Sequence, residues 1–264
     1  MKILCVGDIY GEPGRRAALE ILPGLVAKQG IDFVLANVDN AAGGKGVTDT
    51  IAEELFKNTP IDVMTAGNHV WEQPSIFPHL ETLSILRPFN TLEQEKGKGF
   101  CVVPSKKGLD VGVVHLQGRV FMEGKGPKMR SPFRAMEDLL KQIQLQSKII
   151  LVDVHAETTA EKRALAWFLD GKVSCVVGTH THVQTSDEEI LPRGTAYITD
   201  LGMTGPHESV IGLDIETALK RFLSDGEFKK FKVAERGIRL EGLLIDVDED
   251  TGRARSVSRI RKIL

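Results

Sequence analysis

No stretch of this 264-residue sequence approaches the roughly 20 consecutive apolar residues that a membrane-spanning helix needs, so no membrane partner is expected. The N-terminus has no signal-peptide core either, because Lys2 and Asp8 bring charge before an apolar run of sufficient length can form. Cysteine is scarce. The three, at positions 5, 101 and 175, are odd in number, far apart and each set in an apolar stretch, which excludes a disulfide scaffold and fits reduced, buried thiols in a cytoplasmic protein. An excess of either charge is missing as well. With 34 basic and 36 acidic residues the net charge is −2, which argues against a long nucleic acid as the main partner and leaves small anionic substrates open. There is no internal repeat and no low-complexity linker. What remains is 42% hydrophobic and 27% charged, the composition of a globular protein, read as one domain over residues 1–264.

Short apolar runs alternate with amphipathic segments through the first two thirds of the chain. Ile3–Gly7, Phe33–Ala36, Asp62–Thr65, Val111–Leu116, Ile149–Val154 and Ser174–Val177 read as buried strands. Arg15–Lys28, Asp49–Lys57, Phe133–Gln144 and Thr158–Phe168 have helical spacing, with Thr48 and Thr158 as start signals. This is an α/β pattern. After about residue 183 the pieces are β-rich: Gly194–Thr199, Phe228–Val233, Leu240–Val247 and Val257–Ile263, with one helix over Ile215–Leu223. Strands without intervening helices predict a second, mixed or antiparallel sheet packed on the first. Gly118–Pro132, rich in glycine and proline and carrying Arg119, Lys125, Lys128 and Arg130, is a loop long enough to serve as a lid.

The informative polar residues fall at strand ends. Asp8 closes the first predicted strand, Asp39 and Asn40 follow the second, and Asn68 and His69 follow the third. His155 closes the fifth, and His180 and His182 follow the sixth. Carboxyl ends of neighbouring strands in an open α/β sheet face one crevice, so these side chains should meet. Carboxylates brought together there repel and lose solvent, a penalty that a bound cation relieves. Oxygen and nitrogen donors without a thiolate suit manganese, iron, zinc or cobalt rather than calcium or magnesium. The donors outnumber what one water-holding ion needs, and two ions about 3.5–4 Å apart are the usual device for hydrolysing phosphate esters. In an extended Gly178–His182, residues two apart would point the same way, so His180 and His182 would each address one ion. The imidazole of His69, beside the amide of Asn68, would be free to protonate a leaving oxygen.

Taken singly, each residue has an ordinary reading. Asp8 alone reads equally well as a helix cap, Asn68–His69 as a turn, and the other histidines as satisfied core or surface groups. Jointly, that reading requires strand after strand to end in a metal-capable residue by coincidence. Gly11–Gly14 and Gly43–Gly46 lack the Gly-Lys-Ser/Thr ending of a phosphate-binding P-loop and read as turns, with Lys45 as a substrate-phosphate contact. Arg119 is the second such contact. His79 is read as structural in a helical stretch, His115 as a strand residue, and His207 as a loop residue able to line the site.

Gly7-Asp8, Asn37-Val-Asp-Asn40 with the following Ala-Ala-Gly-Gly-Lys-Gly, Gly67-Asn-His69, Val154-His-Ala-Glu157 and Gly178-Thr-His-Thr-His182 resemble the ordered motifs of the calcineurin-like metallophosphoesterases. More narrowly, Leu116-Gln-Gly-Arg119, His180-Thr-His-Val-Gln-Thr185 and the segment Gly194–Gly205 resemble the bacterial YmdB family, over essentially the whole chain. The resemblance implies a four-layered α/β/β/α sandwich of two mixed sheets flanked by helices. It also implies a dinuclear centre of divalent or transition-metal ions, iron or manganese foremost, with zinc, cobalt or magnesium as the other candidates. In the implied site, Asp8, Asp39, Asn40 and His182 hold one ion. Asp39, Asn68, His155 and His180 hold the other, with Asp39 bridging and His69 as general acid. Two positions depart from the pattern: Tyr10 stands where many relatives place histidine, and Asp39 where the narrower family has glutamate.

The function expected on this basis is hydrolysis of cyclic nucleotides, 2′,3′-cyclic species above all, through a metal-bridging hydroxide. The alternatives are a phosphomonoesterase or protein phosphatase on the same centre, and a metal-bound, nucleotide-binding regulator with little turnover. Self-association into a homo-oligomer is also expected from the resemblance.

Overall fold

The structure, a computed structural model, describes residues 1–92, 96–122, 126–224, 227 and 230–264. The chain opens with β1 (Lys2–Val6) and the two-residue β2 (Asp8–Ile9), then α1 (Gly11–Gln29), β3 (Phe33–Asn37), α2 (Asp49–Asn58), β4 (Val63–Thr65) and β5 (Ile85–Leu86). A second series follows: β6 (Phe100–Pro104), β7 (Asp110–Gln117), α3 (Pro132–Gln144), β8 (Ile149–His155), α4 (Thr159–Leu169), β9 (Cys175–Thr179), β10 (Glu189–Ile190) and β11 (Ala196–Ile198). The chain ends with β12 (Met203–Pro206), α5 (Ile215–Leu223), β13 (Ile238–Val247) and β14 (Ala254–Ile263).

Two mixed sheets result. The first runs β2-β12-β13-β1-β3-β4-β5 with β14 paired to β13, and the second runs β10-β11-β9-β8-β7-β6. Alternation along β1 explains the layering. Leu4 and Val6 face α1 and α2 in one apolar cluster, whereas Ile3 and Cys5 face Val113, Leu151 and Cys175 of the second sheet in another. Val152, Val154 and Val176 on the outer face of the second sheet pack against α3 and α4. The order is therefore helices, sheet, sheet, helices, as the resemblance implied. No described helix is long and apolar enough to cross a membrane.

Several expectations are corrected. The β-rich tail is divided between the sheets: β10 and β11 join the second, but β12, β13 and β14 return to the first, where β13 pairs antiparallel with β1 on the edge that β3 leaves free. The rest of the second sheet comes from the middle of the chain, so apolar runs separated by helices served both sheets. Gly11–Gly14 is the first turn of α1 rather than a turn outside it. In the predicted strand Phe228–Val233, residues 228 and 229 lie outside the described residues, and the rest makes one bridge, Leu213 to Val233. His79 lies in a turn 3.8 Å from Glu53, not in a helix. In the predicted lid, Gly124 and Lys125 lie outside the described residues, while Lys128 and Arg130 are hydrogen-bonded through their backbones to Leu92 and Asn90.

One buried carboxylate ties the sheets together. Asp153 on β8 accepts from Asn37 Nδ2 of β3 at 3.0 Å and Thr65 Oγ1 of β4 at 2.6 Å, both in the opposite sheet. It also accepts from Thr179 Oγ1 of β9 at 2.8 Å and lies 3.1 Å from His115 Nδ1 of β7. Burial alone would push its pKa up, but His115 and the hydroxyl donors hold it well below the usual carboxylate range. Asp153→Ala should therefore leave several buried donors without an acceptor. We expect a loss on the order of 3–5 kcal/mol in urea unfolding. A loss below about 1 kcal/mol, no more than an ordinary single hydrogen bond, would contradict this role.

Candidate metal centre

The carboxyl ends of β1, β3 and β4 in one sheet and of β8 and β9 in the other converge, so the strand-end residues meet across the two sheets rather than along one. Asp8, Asp39 and His155 are fully buried, and Asn40, Asn68 and His182 nearly so. His155 Nε2 lies 3.1 Å from Asp39 Oδ2, 3.2 Å from Asn68 Oδ1 and 3.1 Å from His180 Nδ1. His182 Nε2 lies 3.1 Å from Asn40 Oδ1 and 3.7 Å from Asp8 Oδ1. Asp8 Oδ1 is also 3.9 Å from His155 Nδ1, which joins the two groups.

The proton positions follow from the outer partners. Thr179 gives its hydroxyl proton to Asp153, so at 2.9 Å it accepts from His155 Nδ1–H. His182 Nδ1 faces the Ile211 carbonyl at 3.0 Å and must donate to it. His180 Nε2 faces the Glu157 carboxylate at 3.0 Å and donates likewise. Burial lowers the pKa of His182, which favours its neutral form. With the outer N–H committed, each ring in its neutral form turns a lone pair inward. Asn40 Nδ2 donates to the Gly44 carbonyl at 2.9 Å, which turns its oxygen inward too.

These lone pairs meet carboxylate oxygens without a donor: Asp8 Oδ1 and Asp39 Oδ2 accept no hydrogen bond among the described residues. Burial, together with Asp200 and Asp153, pushes the pKa of Asp8 well above the usual range. Burial also acts to raise that of Asp39, but the positive charge that His155 carries when protonated, together with the His69 backbone amide 3.0 Å from Oδ1, outweighs it and lowers it.

Among the described residues no three or more His, Cys, Asp or Glu side chains already stand arranged around a common ion position. The donor set nevertheless fits cations. Ion–donor bonds of about 2.1 Å place neighbouring donors roughly 3.0–3.4 Å apart, the spacing found around His155 Nε2. Each imidazole also has the outward N–H partner that metal-ligating histidines use to fix their tautomer.

His180 and His182 reach their separate partners by a route unlike the predicted one. Strand β9 stops at Thr179, and both histidines have left-handed backbone, with φ of 96° and 64°. Asp200 holds this bend: its Oδ2 accepts from Thr181 N at 3.1 Å, Thr181 Oγ1 at 2.7 Å and Lys162 Nζ at 2.8 Å. Lys162 and Asp200 are both fully buried. Gly178 is needed at this crossing, since a Cβ there would lie 1.8 Å from the Thr199 carbonyl oxygen.

The centre opens into a cleft of about 670 Å³ that includes His69, Lys45, Tyr10, Arg221 and Phe231. His69 Nδ1 lies 2.5 Å from Glu72 Oε1, and Lys45 Nζ lies 3.4 Å from Glu72 Oε2. Burial would raise the pKa of Glu72, but His69 and Lys45 lower it. Arg119 is not brought here. It borders a separate cavity of about 680 Å³ with Met122 and Phe133, and its backbone amide binds Glu161. His115 serves Asp153, and His207 Nε2 bonds the Met203 carbonyl, so neither reaches the cleft. Asp8 caps no helix, since the cap position of α1 is Tyr10.

Sequence reading missed Glu72, Asp153, Thr179, Asp200, Lys162, Arg221 and Phe231. Of these only Glu72 carried a local signal, three residues after His69, where a single helical turn brings it back beside the imidazole.

The model of the family described as YmdB-like protein matches residues 4–260. The chain is 42% identical to a Bacillus subtilis 2′,3′-cyclic-nucleotide 2′-phosphodiesterase over 98% of this chain and 96% of that one. A crystal structure described as a novel phosphatase from Mycoplasma pneumoniae superposes with a TM-score of 0.91 at 32% identity, covering 100% of this chain and 93% of that one. A Candida albicans 5′-nucleotidase shares the fold alone, with a TM-score of 0.57 at 12% identity over 98% of this chain and 50% of its own. The match thus runs almost from end to end, and the chain belongs to the YmdB-like proteins.

Proposed function

We propose that the protein is a cytoplasmic, metal-dependent phosphodiesterase that hydrolyses 2′,3′-cyclic nucleotides on a dinuclear centre. The observation that carries this reading is the set of buried lone pairs turned toward one another, which bound cations would satisfy together. The name of the Bacillus subtilis relative supports the substrate class. Asp8, Asn40 and His182 would hold one ion and Asn68, His155 and His180 the other, with Asp39 shared. Two such ions supply Lewis acidity toward phosphoryl oxygens and lower the pKa of water.

The remaining steps fall to the chain's own groups. In its imidazolium form His69 gives Nδ1–H to Glu72 and keeps an Nε2–H to pass to the departing ribose oxygen. Lys45 shares Glu72 and adds positive charge at the mouth of the cleft.

Chelation should abolish hydrolysis of adenosine 2′,3′-cyclic phosphate, and adding back manganese or iron should restore it. Elemental analysis after reconstitution is expected to find about two ions per chain, and less than one would contradict the proposal. His69→Ala should keep the metal but slow cyclic-nucleotide turnover by about 10²–10⁴-fold, with a smaller loss for a nitrophenyl ester whose leaving group needs no proton. Equal losses on the two substrates, measured as kcat, would remove His69 from the acid role. Glu72→Gln should show the same leaving-group dependence with a smaller loss.

A further inference from the structure

The cleft contains an apolar wall that phosphate chemistry does not use. Phe231 is 41% exposed and Ile211 50% exposed, with Leu213 between them in the lining. The wall is anchored: Asp214 N donates to the Lys232 carbonyl, Ala234 N donates to the Gly212 carbonyl, and Leu213 bridges Val233. It is also continuous with the donor cluster, because the Ile211 carbonyl receives the N–H of His182.

Phe231 is presented on bare backbone. A Cβ at Gly44 would lie 2.7 Å from Phe231 Cζ and 2.9 Å from Tyr10 Oη, and Gly44 has a φ of 93°, so glycine is required twice over. Lys45 Nζ lies 5.9 Å from the centre of the Phe231 ring. The same ammonium reaches Glu72, which holds His69. Aromatic ring, cation, carboxylate and imidazole are thus linked contact by contact beside the donor cluster.

Resting on the phosphodiesterase reading above, we propose that Phe231, flanked by Ile211 and Leu213 and edged by Lys45, is the platform on which the base of a nucleotide substrate stacks. A phosphate alone gains nothing from an exposed ring beside a cation. A planar heteroaromatic base gains stacking on the ring face, and its own phosphate then lies toward Lys45 and His69. The cleft, at about 670 Å³, falls within the roughly 300–1,000 Å³ of sites that enclose small molecules. The anchoring of the wall to His182 gives the base a fixed distance from the reacting phosphorus. Stacking on a ring rather than hydrogen bonding to a base edge would favour purines over pyrimidines without strict selection among them.

The test compares kcat/KM for adenosine 2′,3′-cyclic phosphate with that for methyl riboside 2,3-cyclic phosphate, which has the same ring and no base. The ratio of the two is independent of the fraction of enzyme that is folded and loaded with metal. Phe231→Ala should lower that ratio by about 10- to 100-fold, mainly through KM for the nucleotide, and Phe231→Tyr should restore it. A ratio equal to wild type in Phe231→Ala overturns the platform while leaving the phosphodiesterase reading intact. If the wild type cleaves neither compound, that reading fails, and titration calorimetry with adenosine 2′-monophosphate decides the platform: equal affinities of wild type and Phe231→Ala overturn it, and weaker binding by the variant supports it.

Discussion

Buried lone pairs cannot be left facing one another. Three imidazoles each spend their N–H on an outward partner, Thr179, Glu157 or the Ile211 carbonyl, and so point basic nitrogen inward. There they meet Asp8, Asp39 and the inward oxygens of Asn40 and Asn68. Such an assembly is costly in a low-dielectric interior unless positive charge neutralises it. Much of the polar structure between the two sheets serves to keep this arrangement from relaxing into ordinary hydrogen bonds.

Two buried networks do that. Asp153 binds Asn37 and Thr65 from one sheet and Thr179 from the other, and two of these partners touch the centre: Asn37 Oδ1 accepts from the backbone amide of Asp39 at 2.9 Å, and Thr179 sets the tautomer of His155. Asp200, paired with Lys162, holds the backbone of Thr181 and so the left-handed turn that sends His180 and His182 to different partners. Tautomer and site geometry thus depend on two carboxylates that stand behind the residues of the centre. The four apolar layers supply the rigidity, since β1, β3, β8 and β9 are buried on both faces.

The strands and helices of the first two thirds were legible because their hydrophobic period is local, and the positions of Asp8, Asp39, Asn68 and His155 at strand ends followed from that period. The assignment of strands to sheets was not legible. β13 looks no different in sequence from a strand of a separate sheet, and only its pairing with β1 decides the matter. The histidine pair was found for a wrong local reason: an extended Gly178–His182 was assumed, whereas Asp200, 18 to 20 residues on, imposes the bend. Asp153, Lys162 and Phe231 gave no signal, because a buried acid in a strand, a lysine in a helix and an aromatic in a loop acquire their roles only through distant neighbours. Arg119 reads in sequence as a phosphate contact in a basic loop, and the fold directs it to another cavity.

Anomalous diffraction from crystals grown with manganese tests the central claim most directly. The account predicts two peaks within the cluster, one bordered by Asp8, Asn40 and His182, the other by Asn68, His155 and His180, with Asp39 in contact with both. A single peak, a peak away from these residues, or none at all would contradict it.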